Sequence, residues 1–554
     1  MGKVPAPAPG ASDGSAGREV PRRPWRLRRP RWPWLAWAGA LAVAAVVLFW
    51  CYLRQSQANA VNADGAGMVL QGWEMVHGNV LLSGWLLADV TFYTFEVPID
   101  GLVALAHGLN SDAAHITAAI VYTLLVLTAA LLAKGTARGA EGVVRAVLAA
   151  GIVAAPSLSA GTHVLLLSPD HTGIAVPIML TLLLVDRVRE RWWVPVAVGV
   201  LLVWAQTDDP LATYAAALPI ALVCLVRAAL PLLARRRPGW YDAGLAAAAA
   251  ISVPVTRLAI AAIRSSGGFH MQALKGGIGT LFPFTSWPAQ LSATGQNLLI
   301  LFGANVAGQH GTGLVMAYLH LAGVALALAG LVAGLACLVR RADRVTQILA
   351  VAIVTTLAAG ALATVMITLS TAHEIAPVLP LSAVLAGRTI GPWLVRRRLP
   401  RLTLGPLLAA VLGGYLACLG YAAAQPAEPA ETQTLADWLV AHHLTSGIAK
   451  YWGANSTTLS SGGQVRVVAA ADLAEQPYLW VTKPAWYDPA VSYANFVVAA
   501  PASAGPDGTG YAFPEAGVRS FFGPPAHEYR AGPYVIMVWN KNLLLQMRSS
   551  GSAG

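Results

Sequence analysis

The feature that most constrains this chain is how its arginines fall between its apolar segments. The first apolar run covers 34–53, and others recur near 113–133, 143–158, 172–185, 193–206, 211–233, 242–263, 313–339, 345–369, 374–390 and 403–424. A run of about 20 apolar residues, rising 1.5 Å per residue as a helix, spans a bilayer, so the pattern predicts about eleven spans. With that count, Lys134, Arg138, Arg145 and the arginine clusters at 187–191, 235–237, 340–344 and 396–401 all fall on one side. Asp64, Glu74, Asp89, Glu96, Asp170, Asp208, Asp209 and Glu374 fall on the other. Basic residues in short loops resist translocation, so the arginine side is expected to be cytoplasmic and the acidic side outer. One miscounted helix would break the alternation.

Composition agrees. Only 11% of residues are charged and the mean hydropathy is +0.58, whereas a soluble domain has about 25% charged residues. The net charge of +11 is expected to anchor helix ends at anionic lipid and not to bind nucleic acid. Residues 1–31 are Pro-, Gly-, Ala- and Arg-rich without apolar periodicity and read as a disordered basic cytoplasmic tail. The first span exceeds the apolar core of a signal peptide, about 7–15 residues, and is read as an uncleaved helix. Cys51, Cys224, Cys337 and Cys418 each lie in an apolar segment and read as small hydrophobes without metal or disulfide spacing.

The transmembrane part is expected over 32–424. Its two long outer loops, 54–112 and 264–312, suit interfacial helices and a Gly-rich lid respectively. Residues 425–554 change character and predict a small extracytoplasmic α/β domain. A helix is expected at 435–444, and strands at 464–469, 479–482, 495–499 and 534–539. This domain is rich in Trp and Tyr, among them Tyr451, Trp452, Tyr478 and Trp480. Aromatic faces suit sugar rings, although core packing is the expected role of most of them.

Several outer residues could carry chemistry. Asp64 lies in Asn62-Ala63-Asp64-Gly65, shortly after the first span, and is either a general base or a helix N-cap. Ser168-Pro169-Asp170-His171-Thr172 offers an acid and an imidazole before another span, or again a cap. Asp208-Asp209 could hold a divalent cation through oxygen ligands, or form a short solvated hairpin. Arg257 sits inside an apolar span, where a charge is costly; it either meets a lipid phosphate or snorkels to the interface. Arg388 reads as an anchor at the inner end of its span.

An acid in the first outer loop, interfacial helices beside it, many spans and a C-terminal outer domain resemble the GT-C class of membrane glycosyltransferases. The chain is similar also to uncharacterised actinobacterial integral membrane proteins that share its first loop and a terminal strand like 538–544. The GT-C resemblance covers the architecture of most of the chain. Many members carry paired acids in the first loop, where this chain has Asp64-Gly65. The resemblance implies an α-helical polytopic fold and transfer of a sugar from a polyprenyl-phosphate donor to an envelope glycan, lipid or protein acceptor on the outer face of the plasma membrane. It implies Asp64 as catalytic base with Asp170 and His171 as further catalytic groups. Glu74, Glu96, Arg257, Arg264, His310, His373 and Glu374 are then expected to hold substrate. Any cofactor would be a divalent metal, Mg or Mn. The competing functions are a transporter or flippase of lipid-linked substrates, which would show inverted repeats and midplane breaks, and a non-catalytic envelope scaffold. No nucleotide-binding motif is present.

Overall fold

The computed structural model describes residues 2 and 33–547, apart from 159, 168–170, 234–238, 273–280, 282, 340–342, 363–368, 397–403, 431, 472–474 and 505–508. The chain divides into two compact units, Met1–Val43 and Ala44–Gly554. Apart from Gly2, the described part of the first is the beginning of α1 (Pro33–Gln57). The second unit holds everything else.

After α1 come two short helices, α2 (Ala63–Val76) and α3 (Glu96–His107). At 14 and 12 residues they fall well short of the roughly 20 that a span needs. They match the expectation of short helices in 54–112. α4 (Ser111–Lys134), α5 (Gly139–Val153), the one-turn α6 (Ala160–Thr162), α7 (Ala175–Arg187), α8 (Trp193–Asp208), α9 (Leu218–Leu233) and α10 (Trp240–Ser265) follow. Next are α11 (Trp287–Leu301), α12 (Gly311–Val339), α13 (Arg344–Leu362), α14 (Val378–Arg396) and α15 (Leu404–Ala423). Every segment read as a span holds a helix among its described residues. Among the described residues, 7 helices are long and apolar enough to cross a membrane, and shorter apolar helices accompany them. The protein is a mostly helical, multi-pass membrane protein. α11 occupies part of the expected lid at 264–312, while Lys275 and the second Gly-Gly pair there lie outside the described residues.

α2 and α3 cross at a close backbone contact. A Cβ on Gly72 would lie 2.4 Å from the Gly101 nitrogen, and one on Gly101 would lie 2.5 Å from the Gly72 oxygen. Only glycine at both positions allows this approach, which sets α3 directly behind α2.

The basic ends of the helices are tied together. Arg388 is not a lipid-facing anchor, because it is buried among four helices. Its guanidinium lies 2.7 Å from Asp186 Oδ1 and 2.6 Å from Asp343 Oδ2, and it donates to the Leu132 carbonyl at 2.8 Å. A buried charge of this kind persists only when paired. α7 ends at this cluster and begins just after His171. α14 passes through it and begins just after Glu374. The acidic and basic groups therefore sit at opposite ends of the same helices.

The C-terminal domain contains α16 (Gln433–Ala441), α17 (Tyr451–Ser460) and α18 (Glu515–Phe522). Two short strands, β1 (Leu86–Leu87) and β2 (His270–Met271), pair in parallel in the helical part. The domain adds β3 (Ser446–Ala449), β4 (Arg466–Ala471), β5 (Gln476–Pro477), β6 (Phe496–Ala500), β7 (Phe513–Pro514), β8 (His527–Ala531) and β9 (Tyr534–Val538). The sheet order is β5-β4-β3-β6-β9-β8, with β7 beside β6. β3 pairs in parallel with β4 and β6, and β9 runs antiparallel to β6 and β8. Successive residues alternate between two cores. Ile448, Val468, Val497 and Met537 pack with Val518 and Phe522 of α18. Val467, Phe496, Val498 and Ile536 pack with Leu435 and Leu439 of α16. The strands expected at 464–469, 495–499 and 534–539 are present within a residue or two. The one expected at 479–482 is instead an isolated bridge between Thr482 and Leu86.

That bridge helps clamp the domain onto the helical part. Leu86 N donates to Thr482 O at 2.7 Å, and Thr482 N returns a bond to Leu86 O at 3.0 Å. Asn455 on α17 donates to Val481 O at 3.1 Å, and α17 packs against α2. Asn455 is also the first residue of a formal sequon, and it is buried.

Candidate functional site

A cavity of about 890 Å³ opens where α2, the segment 87–92 and the turn before α14 meet the C-terminal domain. Asp64 stands on its wall and belongs to the first turn of α2. The helix is capped by Asn62, whose side chain accepts from Gly65 N at 2.8 Å. Capping therefore does not account for Asp64. Its Oδ1 accepts a hydrogen bond from the hydroxyl of Tyr451, the first residue of α17. One carboxylate is thus shared between the first loop and the C-terminal domain.

His171, His373 and Glu374 line the same cavity. His171 is buried, with a left-handed φ of 55°, a conformation uncommon outside glycine and tolerated where surrounding contacts over-determine it. Its Nδ1 lies 2.8 Å from Asp209 Oδ2 and its Nε2 lies 3.8 Å from Glu374 Oε2. The rings of His171 and His373 stack with centroids 5.5 Å apart and planes 2° from parallel. One ligand atom from each of His171, His373 and Glu374 falls within 4.8 Å of the others. A carboxylate on Nδ1 leaves Nε2 to face the group, the arrangement that orients metal-bound histidines. Asp89 is a third carboxylate on the cavity wall, and Lys450 brings an ammonium that also donates to Thr509 O at 3.0 Å.

Asp208 and Asp209 form no solvated hairpin; both are fully buried. They are adjacent in sequence but diverge in space, so neither belongs to the closely spaced His/Glu group. Asp209 also accepts from Leu211 N at 2.8 Å. Asp208 Oδ1 accepts from Thr94 N at 2.9 Å and Phe95 N at 2.8 Å, at the start of α3. Glu96 sits behind the site rather than on its wall. It is fully buried, and a Cβ on Gly173 would lie 1.8 Å from its Oε1. Only glycine at 173 lets Glu96 pack against the chain two residues past His171. Burial first, and then the charge of Asp208, holds the Glu96 carboxyl well above the usual carboxylate range.

Asp100, one turn further along α3, is likewise buried and is pushed up to about 8 by burial. Its folded form keeps a proton that the unfolded chain releases above its ordinary value of 3.8. The stability contributed by this group is therefore full below about pH 4 and is lost as pH rises toward 8. Asp100→Asn is expected to raise the melting temperature of the detergent-solubilised protein at pH 7 and to make its decline between pH 4 and 8 shallower. An unchanged slope would contradict this.

The other expected site residues lie elsewhere. Glu74 accepts from Trp85 Nε1 at 3.0 Å and pairs with Lys483 at 2.6 Å, tying α2 to the C-terminal domain. Arg257 and Arg264 are exposed on one face of α10 and, with His270, line a separate cavity of about 560 Å³. His310 is exposed just before α12 and is not on the main cavity wall. Asp170 lies outside the described residues. Sequence reasoning did not single out Lys450, nor the contact of Tyr451 with Asp64.

No family model and no curated protein matches the sequence. Among solved structures, the chain is similar to ArnT from Cupriavidus metallidurans bound to undecaprenyl phosphate, at 14% identity and a TM-score of 0.50, covering 91% of this chain and 98% of that one. ArnT in the apo state gives 13% identity and a TM-score of 0.51 over 93% and 99% of the two chains. The Archaeoglobus fulgidus oligosaccharyltransferase tethered with an acceptor peptide gives 14% identity and a TM-score of 0.45, over 78% of this chain and 63% of that one. The likeness to ArnT is one of fold.

Proposed function

We infer that this chain, whose fold is that of the GT-C class of membrane glycosyltransferases, transfers a sugar from a polyprenyl-phosphate carrier to an acceptor hydroxyl on the outer face of the membrane. The observation that carries the reading is the shared cavity. It places a first-loop carboxylate, Asp64, together with a His/His/Glu group, in a fold like that of a protein solved with undecaprenyl phosphate.

In this reading Asp64 takes the proton of the acceptor hydroxyl as its oxygen attacks the anomeric carbon. The bond from that carbon to the carrier phosphate breaks, and the phosphate leaves with the electron pair. A carboxylate in hydrogen-bond reach contributes about 10²–10⁴-fold to such a step. The Tyr451 hydroxyl orients Asp64. His171, His373 and Glu374 suit a divalent cation, which would supply positive charge for phosphate oxygens. Two imidazoles favour a transition metal such as Mn or Zn over Mg, which prefers oxygen ligands throughout. Asp209 holds His171 in place for that role. Arg257 and Arg264 offer a cationic approach for the carrier phosphate.

The same placement supports a reading of the side of the membrane. The cavity and the arginine cluster lie at opposite ends of α7 and α14, and the positive-inside rule assigns the arginine end to the cytoplasm. In this reading the C-terminal domain, 425–554, is extracytoplasmic, and the arginine alternation of the sequence alone puts the N-terminus in the cytoplasm.

Recognition of the carrier is tested by thermal unfolding in detergent. Undecaprenyl phosphate at about 100 times its dissociation constant is expected to stabilise the protein by about 2.7 kcal/mol, and undecaprenol, which lacks the phosphate, to give a much smaller shift. Equal shifts from both lipids would mean that no phosphate is recognised.

A further inference from the structure

Two large aromatic side chains of the C-terminal domain are left open on the cavity wall. Trp452 keeps 41% of its surface exposed and Tyr478 keeps 39%, whereas Tyr487 and Trp539 of the same domain keep 8% and 4%. The open pair flanks Tyr451, with ring centroids 5.2 and 5.1 Å from it and planes inclined by 66° and 52°. Tyr451 itself donates to Asp64. Asp64 is also close enough for its charge to add to burial in raising the Tyr478 phenol. An aromatic shelf therefore runs up to the carboxylate that the reaction would use.

The chemistry of the wall narrows what rests on that shelf. Outside the His/His/Glu group, Asp64 and Asp89 outnumber Lys450 on the wall, which disfavours an anionic acceptor. The shelf offers open ring faces, so the ligand that fits it has a flat apolar face of its own. A pyranose or furanose ring has one face rich in C–H groups, and these are attracted to the electron-rich face of an indole or phenol.

Building on the reading of Asp64 as the base, we propose that Trp452 and Tyr478 form the acceptor subsite and that the acceptor is a carbohydrate. Its ring lies on the shelf and presents a hydroxyl to Asp64. The cavity is of a size that small-molecule ligands fill.

The test uses the full chain in detergent, an array of furanose and pyranose oligosaccharides, and undecaprenyl phosphate as a separate probe. Wild type is expected to bind at least one oligosaccharide class. Trp452→Ala should weaken that binding about tenfold, the scale of one lost stacking partner, and Trp452→Phe should restore most of it. Trp438→Ala serves as the control, because Trp438 stacks on His442 at 3.8 Å on the same domain but is not on the cavity wall; it should change nothing. Undecaprenyl phosphate binding should be alike in all four proteins. Oligosaccharide binding indifferent to Trp452→Ala, or carrier binding without any oligosaccharide binding, would overturn the proposal and leave the transferase reading standing. Sugar binding only when the sugar is linked to the lipid would place the donor on the shelf and also overturn it. Failure of wild type to bind the carrier would sink the underlying reading instead.

Discussion

Asp64→Asn is expected to reduce sugar transfer by roughly 10²-fold or more while leaving the melting temperature near that of wild type. The two effects separate because of where the residue sits. The cap of α2 is Asn62, so replacing Asp64 removes no capping bond. Asn keeps the size of Asp and retains an oxygen that can accept from the Tyr451 hydroxyl. What it loses is the ability to take a proton. The measurement is turnover of a polyprenyl-phosphate sugar beside a melting curve for each protein. Turnover equal to wild type would remove Asp64 from the role of base. A fall in turnover matched by a fall in melting temperature would mark it as structural.

The second large effect is expected in metal affinity, independently of activity. Purified wild type should bind one equivalent of a divalent transition metal such as Mn or Zn, and His171→Ala should abolish that binding. Asp209→Asn should weaken it by about 10–100-fold, because the carboxylate on Nδ1 fixes the orientation of the imidazole and raises its basicity. Asp208→Asn is the informative contrast. Its carboxylate is engaged by the amides of Thr94 and Phe95, so its loss should act on folding more than on the metal. Calorimetric titration after chelation reads these affinities directly. Asp209→Asn binding as tightly as wild type would mean that His171 is not a ligand.

The parts of the fold that were legible in the sequence are those with a one-dimensional signature. Spans announce themselves by apolar length, and each of the expected segments holds a helix among its described residues. β4, β6 and β9 were legible because short apolar runs such as 496–500 and 534–538 stand between turn residues. α17 was not. Its sequence, Tyr-Trp-Gly-Ala-Asn-Ser-Thr-Thr-Leu-Ser, has no apolar stripe, and it is held by burying small and hydroxyl-bearing residues tightly against α2 and β4. The placement of Tyr451 on Asp64 was hidden with it. β8 was missed for the opposite reason: it is an edge strand whose first four residues are exposed, so no alternation marks it.

The site shows the same division. Asp64, His171, His373 and Glu374 each stood out as polar residues beside apolar segments. Their meeting in one cavity depends on α7 and α14 starting at the same end of the bundle, which no local pattern records. Asp208 and Asp209 misled as a pair because neighbouring side chains at a helix end point in different directions. Glu96 was expected on the outer face holding substrate, whereas it is buried behind Gly173 and against Asp208. Arg388 read as an anchor, because its partners Asp186 and Asp343 come from α7 and the turn before α13.

The most direct measurement is the fate of the sugar–phosphate bond. Wild type and Asp64→Asn protein would be placed in lipid vesicles with a panel of undecaprenyl-phosphate monosaccharides carrying a labelled sugar, and an oligosaccharide acceptor supplied outside. Wild type is predicted to release unglycosylated undecaprenyl phosphate and to move the label to the acceptor for one donor of the panel, with the Asp64→Asn rate lower by roughly 10²-fold. Intact donor moved from one leaflet to the other, at equal rates in both proteins, would contradict the account and identify a transporter.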